Sequence, residues 1–471
     1  MRMATRKEAR HNEPSSLGYL PRRSSLLPAG LAGLALWLML WAGYNTGPGY
    51  VLDPAFPSSN WELVHGLRAF LPLLAGWLAL TMLLARQRVV SQAVEGPLGL
   101  LIVFAFVGLL ASALLSEEPL QALYWAFAMG AIILVLMAVL CGAEEQPAMS
   151  RLLTLNWLIA TALTLGILIG LPSLGGPSPS LVNPLDPHAH WGRFATPDFI
   201  GMAGTRNTGL ARYAAVAGVA AAGRLWQGRF PLRAFWFLVL LLSGYALLFA
   251  QGRTETVGFV VGVTVILLLR RTGRLLLLGW GSLAGLLMWR AETFERLWIY
   301  GTRTGQFDPT LSGRIATWKQ GWELFQQSPW VGFGFQADRY FLGGQHMHSA
   351  LLHALVETGL LGTIPFVLAF VLAGVLVVRL YSGERSRRSP VLLDEIPGVL
   401  ALFLVMSLME STAYFSANLL FCAPVLAYLQ LMAWKRRLPK WPERRAARDR
   451  VSAVRGRRPV GGVWGEQQSL L

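Results

Sequence analysis

The chain has 471 residues, 54% of them hydrophobic and 14% charged, with a mean hydropathy of +0.47. A soluble globular domain carries nearer to about a quarter charged residues, so that class is excluded. The net charge of +16 comes from 41 basic and 25 acidic residues. The basic residues cluster beside apolar blocks, which is the pattern of membrane topology rather than of a nucleic-acid surface, and no nucleic-acid partner is expected.

In chain order, residues 1–25 are polar and basic and form an expected cytoplasmic segment, polar for too long to be an ordinary cleaved signal peptide. Apolar blocks follow, such as "LAGLALWLMLWAGY" and "LLTLNWLIATALTLGILIGL". A spanning helix needs roughly 20 mostly apolar residues, and these blocks are continuous rather than alternating. The expectation is an all-α integral membrane protein with about twelve spans, near residues 26–44, 66–85, 97–115, 121–141, 152–172, 208–224, 234–250, 255–269, 274–289, 351–379, 394–414 and 417–434. Spans one to nine occupy 26–289, and spans ten to twelve occupy 351–434.

Segments rich in Lys and Arg, among them "RQR", "RLWQGRFPLR", "RRTGR" and "RLYSGERSRR", fall on one side, which the positive-inside rule makes cytoplasmic. Both termini share that side. The basic tail at 435–471 is read as an anchor touching anionic lipid headgroups. Two outer segments are long. Residues 173–207, with "PSLGGPSPSLVNPLDP", read as irregular. Residues 290–350 read as a partly helical loop domain, because Ile315, Trp318, Trp322 and Phe325 recur at helical spacing. "QSPWVGFGF" ends that helix. Cys141 and Cys422 lie in or beside apolar blocks, so no disulfide framework is expected.

Arginines on the outer side are unexpected, yet Arg206, Arg253, Arg303 and Arg314 all fall there or at its membrane edge. One such residue is readily a snorkelling side chain. Several together suggest an anionic ligand, since guanidinium groups offer forked donors and stay ionised.

Three of the seven histidines lie in "HMHSALLHALVETGLLG" at 346–362. A helix beginning near Ser349 puts His348 at its N-terminus, with Ser349 as cap. A neutral imidazole there can accept a proton, and the helix end attracts phosphate oxygens. At about 100° per residue, Gly359 and Gly362 fall on the His348 face, and two glycines would open a groove for a helix or a lipid tail. His353 and Glu357 point elsewhere and read as packing or hydrogen-bonding residues. His346 with His348, and His188 with His190, could each be a metal pair, but no carboxylate or cysteine cluster accompanies them in the sequence, so no metal is expected.

His348-Ser349, nine residues and Gly359-Leu-Leu-Gly362 resemble the signature of the O-antigen ligase family. The "QGRT" and "SGRIATW" arginine contexts, the span number and the large loop before span ten look like that family too, over residues 95 to 435. The resemblance implies a glycosyltransferase of the class C membrane type that needs neither metal nor cofactor. Its donor would be a glycan on undecaprenyl diphosphate, and its acceptor a lipid A-core sugar hydroxyl or another glycan at the periplasmic face of the inner membrane. His348 would be the catalytic histidine, and Arg253 and Arg314 would bind diphosphate. Arg206 and Arg212, in "TRNTGLARYA", are further diphosphate candidates. A polymerase or protein O-oligosaccharyltransferase of the same superfamily is the alternative. A polysaccharide transporter fits less well, because the spans are nearly free of charge apart from Glu357 and Glu410.

Overall fold

The structure is a computed structural model. It describes residues 29–44, 62–85, 93–142, 145–170, 193–194, 205–226, 230–250, 252–288, 314–343, 346–381, 392–411, 414 and 416–437. The N-terminal segment, most of 173–207, residues 290–313 with Arg303, both His188 and His190, and the basic tail after 437 lie outside the described residues.

Fourteen helices are described: α1 (Ala29–Tyr44), α2 (Glu62–Leu84), α3 (Pro97–Leu114), α4 (Pro119–Leu140), α5 (Glu145–Gly170), α6 (Asn207–Arg224), α7 (Phe230–Ala250), α8 (Arg253–Leu269), α9 (Arg271–Met288), α10 (Arg314–Gln327), α11 (Ala337–Phe341), α12 (Ala350–Tyr381), α13 (Glu395–Met409) and α14 (Ser416–Arg437). Each stretch expected to span overlaps a helix, but the length and apolarity of these helices do not carry the count of twelve spans. Among the described residues, six helices (α2, α3, α4, α5, α7 and α12) are long and apolar enough to cross a membrane, and α1 and α13 are shorter apolar helices. The chain is a multi-pass α-helical membrane protein. The stretch expected to be irregular contains a two-residue ribbon, in which β1 (Arg193–Phe194) pairs antiparallel with β2 (Thr205–Arg206).

Local chemistry explains the helix ends and crossings. Pro97 and Pro119 open α3 and α4, where a missing N–H costs nothing. The Ala-rich α6 is buried along most of its length and packs against α5, α7, α8 and α13. Small residues let backbones approach there: a methyl at Gly262 would stand 2.7 Å from the Gly398 carbonyl, across the α8–α13 crossing. Outward-facing Phe70, Trp77, Leu120, Phe230 and Leu238 form an apolar surface suited to lipid. Cys141 and Cys422 are free thiols.

The two ends of the α6–α8–α13 group differ. At one end, Arg224 closes α6 on Glu395 (Nε–Oε1 2.5 Å) and Arg270 pairs with Asp394. At the other end the first turns of α6 and α8 meet the C-terminus of α13, and the signature histidine arrives from α12.

Helices α10 and α11 pack on the beginning of α12. Leu324, Phe325, Ala337, Met347, Leu352 and Val356 form a small separate core, and the Trp318 indole N–H donates to the Met347 carbonyl (2.7 Å). The apolar stripe expected on α10 is displaced. Ile315 and Trp322 are about half exposed, and the face turned inward is Thr317, Gly321, Leu324 and Phe325. Close approach decides this: a methyl at Gly321 would meet Met347 Sδ at 2.6 Å, so the helix docks on its smallest residues.

Candidate active site

Segment 346–349 enters α12 as irregular chain. His348 has φ 50°, a left-handed conformation uncommon outside glycine. This turn lifts its ring off the helix axis and aims it at α13. Ser349 then caps α12, its Oγ receiving the Leu352 N–H at 3.4 Å.

α13 ends at Met409, and Glu410 continues in extended conformation (φ −145°, ψ 153°). The Glu410 carboxylate is thereby turned towards both loop elements. His348 Nδ1 lies 3.0 Å from Oε2, and Arg314 NH2 lies 2.5 Å from Oε1. Arg314 NH1 also donates to the Met409 carbonyl (2.6 Å). With Nδ1–H donating to Glu410, the other ring nitrogen of His348 is left as a lone-pair acceptor. The His348 side chain remains 36% exposed, so that nitrogen can be reached.

Arginines surround this pair. Arg212, in the first turns of α6, donates to Asn418 Oδ1 (3.2 Å) and acts electrostatically on both Glu410 and the buried Glu255. Glu255 also feels Arg314. Arg253 opens α8 two residues before Glu255 and is half-buried. Arg206 lies in β2, directly before α6. The helix starts thus bring Arg212, Arg314, Glu255, Glu410 and His348 to one charged cluster, with Arg253 and Arg206 on the chain segments that enter it.

The shared face expected for His348, Gly359 and Gly362 does not exist. His348 is not helical, and Gly359 breaks α12 with φ 57° and ψ −163°. The break is filled by "PWVGFG". Leu360 and Leu361 N–H donate to the Pro329 and Trp330 carbonyls (2.8 and 3.0 Å), while Phe333 and Gly334 N–H donate to the Val356 and Glu357 carbonyls (both 2.9 Å). A methyl on Gly359 would stand 2.3 Å from the Trp330 carbonyl carbon, and one on Gly362 would meet Thr358 of its own helix. The glycines serve a loop–helix junction rather than an open groove.

Behind His348 lies a buried polar cluster. His346 Nδ1 is 3.1 Å from Asp338 Oδ2, and His353 Nε2 is 3.4 Å from the same oxygen. His353 Nδ1 is 3.6 Å from Glu357 Oε1, which receives the Gln336 N–H (2.8 Å), and the Tyr414 hydroxyl donates to Glu357 Oε2. Burial pushes the His346 imidazole down to about 4, so it is neutral. Burial opposes the charge on Asp338, but the adjacent His353 and the His346 hydrogen bond outweigh it and hold the carboxyl below its usual range.

Comparison with known proteins fits this arrangement. The stretch from α7 to the middle of α12, residues 237–367, matches the family model described as O-antigen ligase. The matched segment contains Arg253, Arg314, His348 and both motif glycines. The chain is also 33% identical over 200 residues to the exopolysaccharide production protein ExoQ of Rhizobium meliloti (strain 1021), a match covering 36% of this chain and 43% of that protein. The chain therefore matches less than half the length of this curated relative. Glu410 lies outside the family segment, and sequence reading treated it merely as a rare charge in a span. The usable signal was an acidic residue closing an apolar block, which is costly without a partner.

Proposed function

We propose that this protein transfers a glycan from undecaprenyl diphosphate to a lipid A-core sugar hydroxyl, at the periplasmic face of the inner membrane and with both termini in the cytoplasm. The reading rests on one observation above others: within or beside an O-antigen ligase segment, His348 Nδ1 faces Glu410 while Arg314 clamps the same carboxylate.

His348 accepts the proton of the acceptor hydroxyl on its second ring nitrogen, and Glu410 holds the ring and the tautomer. The hydroxyl oxygen attacks the anomeric carbon, the bond from that carbon to the phosphate oxygen breaks, and undecaprenyl diphosphate departs with the electron pair. Arg253, Arg314 and Arg212, with Arg206 at the entry to α6, stabilise the departing charge. Arg314 spends two donors on Glu410 and Met409 and keeps its remaining N–H groups for phosphate. The transfer step therefore draws on no metal and no cofactor.

The match to an exopolysaccharide production protein favours one rival of the same chemistry, a polymerase that uses a lipid-linked glycan as acceptor. Deletion of the gene in the source organism, with electrophoresis of its lipopolysaccharide, separates the two. Loss of all long chains with accumulation of lipid-linked polymer supports the ligase. Retention of a single capped repeat supports an O-antigen polymerase, and unchanged lipopolysaccharide overturns the ligase reading and points to another acceptor, such as a growing exopolysaccharide.

A further inference from the structure

We propose that Asp338, His346 and His353 form a structural binding site for one divalent transition-metal ion of the zinc class. Each of the three offers one donor atom, and these atoms all lie within 4.8 Å of one another. Two donors on a tetrahedral zinc ion at its usual bond lengths stand about 3.3 Å apart. The two His–Asp338 separations are 3.1 and 3.4 Å, so an ion fits between them with small side-chain shifts.

Charge and burial favour an ion over hydrogen bonds alone. Asp338 and Glu357 are both fully buried, and buried carboxylates are paired with cations or coordinate metals. Asp338 Oδ1 is itself buried with no hydrogen-bond partner, which leaves a donor atom for the ion or for a water bound to it. Arg339 contributes positive charge nearby, but it acts on the cluster electrostatically from outside.

The surroundings match a ligand shell. His353 turns Nδ1 towards Glu357 and Nε2 towards Asp338. That is the carboxylate–histidine–metal order in which the outer carboxylate fixes the tautomer and raises ligand basicity. Tyr414 in turn secures Glu357. His346, 17% exposed, provides the way in. His348 is excluded as a ligand because its Nδ1 is committed to Glu410. The doubled histidine "HMH" then has two separate uses, with His346 holding the ion and His348 facing the reaction. The ion would staple α11 and the 346–349 segment to the first turn of α12.

The test uses full-length protein without a polyhistidine tag, purified in detergent, stripped with chelator and titrated with CoCl₂. The expected result is one equivalent of Co²⁺ with the strong visible absorption of a four-coordinate ion, displaced by ZnCl₂. His346→Ala and Asp338→Asn should each weaken binding at least tenfold, whereas His348→Ala and the double change His188→Ala/His190→Ala should keep it. Absence of saturable Co²⁺ binding by the unaltered protein overturns the proposal. So does binding that survives His346→Ala, or that disappears with His188 and His190. Because His346 is partly exposed, its alanine variant is the one expected to remain monodisperse, so the outcome does not depend on Asp338→Asn folding.

Discussion

His348 Nδ1 sits 3.0 Å from Glu410 Oε2, a contact that spans 62 residues of chain and joins the segment leading into α12 to the residue that closes α13. A histidine so held has one nitrogen committed and the other available, the arrangement a general base requires. His348→Ala should abolish transfer while the protein still inserts and still binds its lipid-linked donor. Positioned general bases contribute on the order of 10²–10⁴ in rate, so the loss should be deep. Side-by-side transfer rates and donor affinities check this, and a deeper loss at His346→Ala than at His348→Ala would mean that the wrong imidazole has been assigned.

Glu410→Gln should lower turnover by about tenfold or more with little change in donor affinity. The amide keeps the shape of the carboxylate but loses the charge that supports His348 as it takes up a proton. It also releases Arg314 from its ion pair. A variant with reduced donor affinity and normal turnover would instead assign Glu410 to donor binding.

Arg314 should behave differently from His348. Arg314→Ala should weaken donor binding and turnover together, and Arg314→Lys should rescue little. Lysine is a single point donor and cannot bridge the Met409 carbonyl and Glu410 while facing phosphate. Full rescue by lysine would reduce the role of Arg314 to simple charge.

The neutralisation of diphosphate by arginines carries a further expectation: added Mg²⁺ should not accelerate transfer by the purified protein. Rate measured against MgCl₂ concentration should be flat at constant ionic strength. A saturable rise would transfer the leaving-group charge from the arginines to a cation.

Topology supplies a physical check on the shared site. Cysteines placed singly at 253, 314 and 348 should all react with a membrane-impermeant thiol reagent in cells whose outer membrane has been permeabilised. Reaction of any one of them only after inner-membrane lysis would separate it from the other two.

Gly359→Ala should destabilise the protein far more than Gly362→Ala. Gly359 occupies a backbone region essentially reserved for glycine, costing on the order of 1–3 kcal/mol for another residue, and its methyl would strike the Trp330 backbone. The methyl of a Gly362 variant would meet Thr358 Oγ1 and Cβ of its own helix, so it too has a cost, but Gly362 has no positive φ and the contact is with a side chain rather than the backbone of another segment. Thermal unfolding of both variants in one detergent measures the difference.

The sequence made the helices legible because each apolar block is long and bounded by charge or by Gly and Pro, and His348 and Arg314 were legible as chemistry out of place. What it hid was backbone conformation. The helical-wheel relation between His348 and Gly359 assumed an unbroken helix, and two left-handed residues, His348 and Gly359, remove that assumption. Half of the stripe on α10 failed for a related reason: Trp318 and Phe325 pack inward as expected, but Gly321 and Thr317 allowed closer contact than Ile315 and Trp322 could. Asp338, eight residues before His346, was invisible as a partner because a short helix and a turn fold it back.

The break at Gly359 also bears on how such proteins can be recombined. Exposed amides and carbonyls within a helix that enters hydrocarbon are severely penalised, and here the "PWVGFG" chain satisfies them. The segment from α10 to residue 334 is therefore not a detachable cap on α12. A chimera that exchanged residues 314–343 alone would replace the backbone partners of α12 with foreign ones, whereas a graft running from the start of α10 through residue 361 would carry each donor with its acceptor. The natural unit of exchange between relatives runs across the junction of loop and helix.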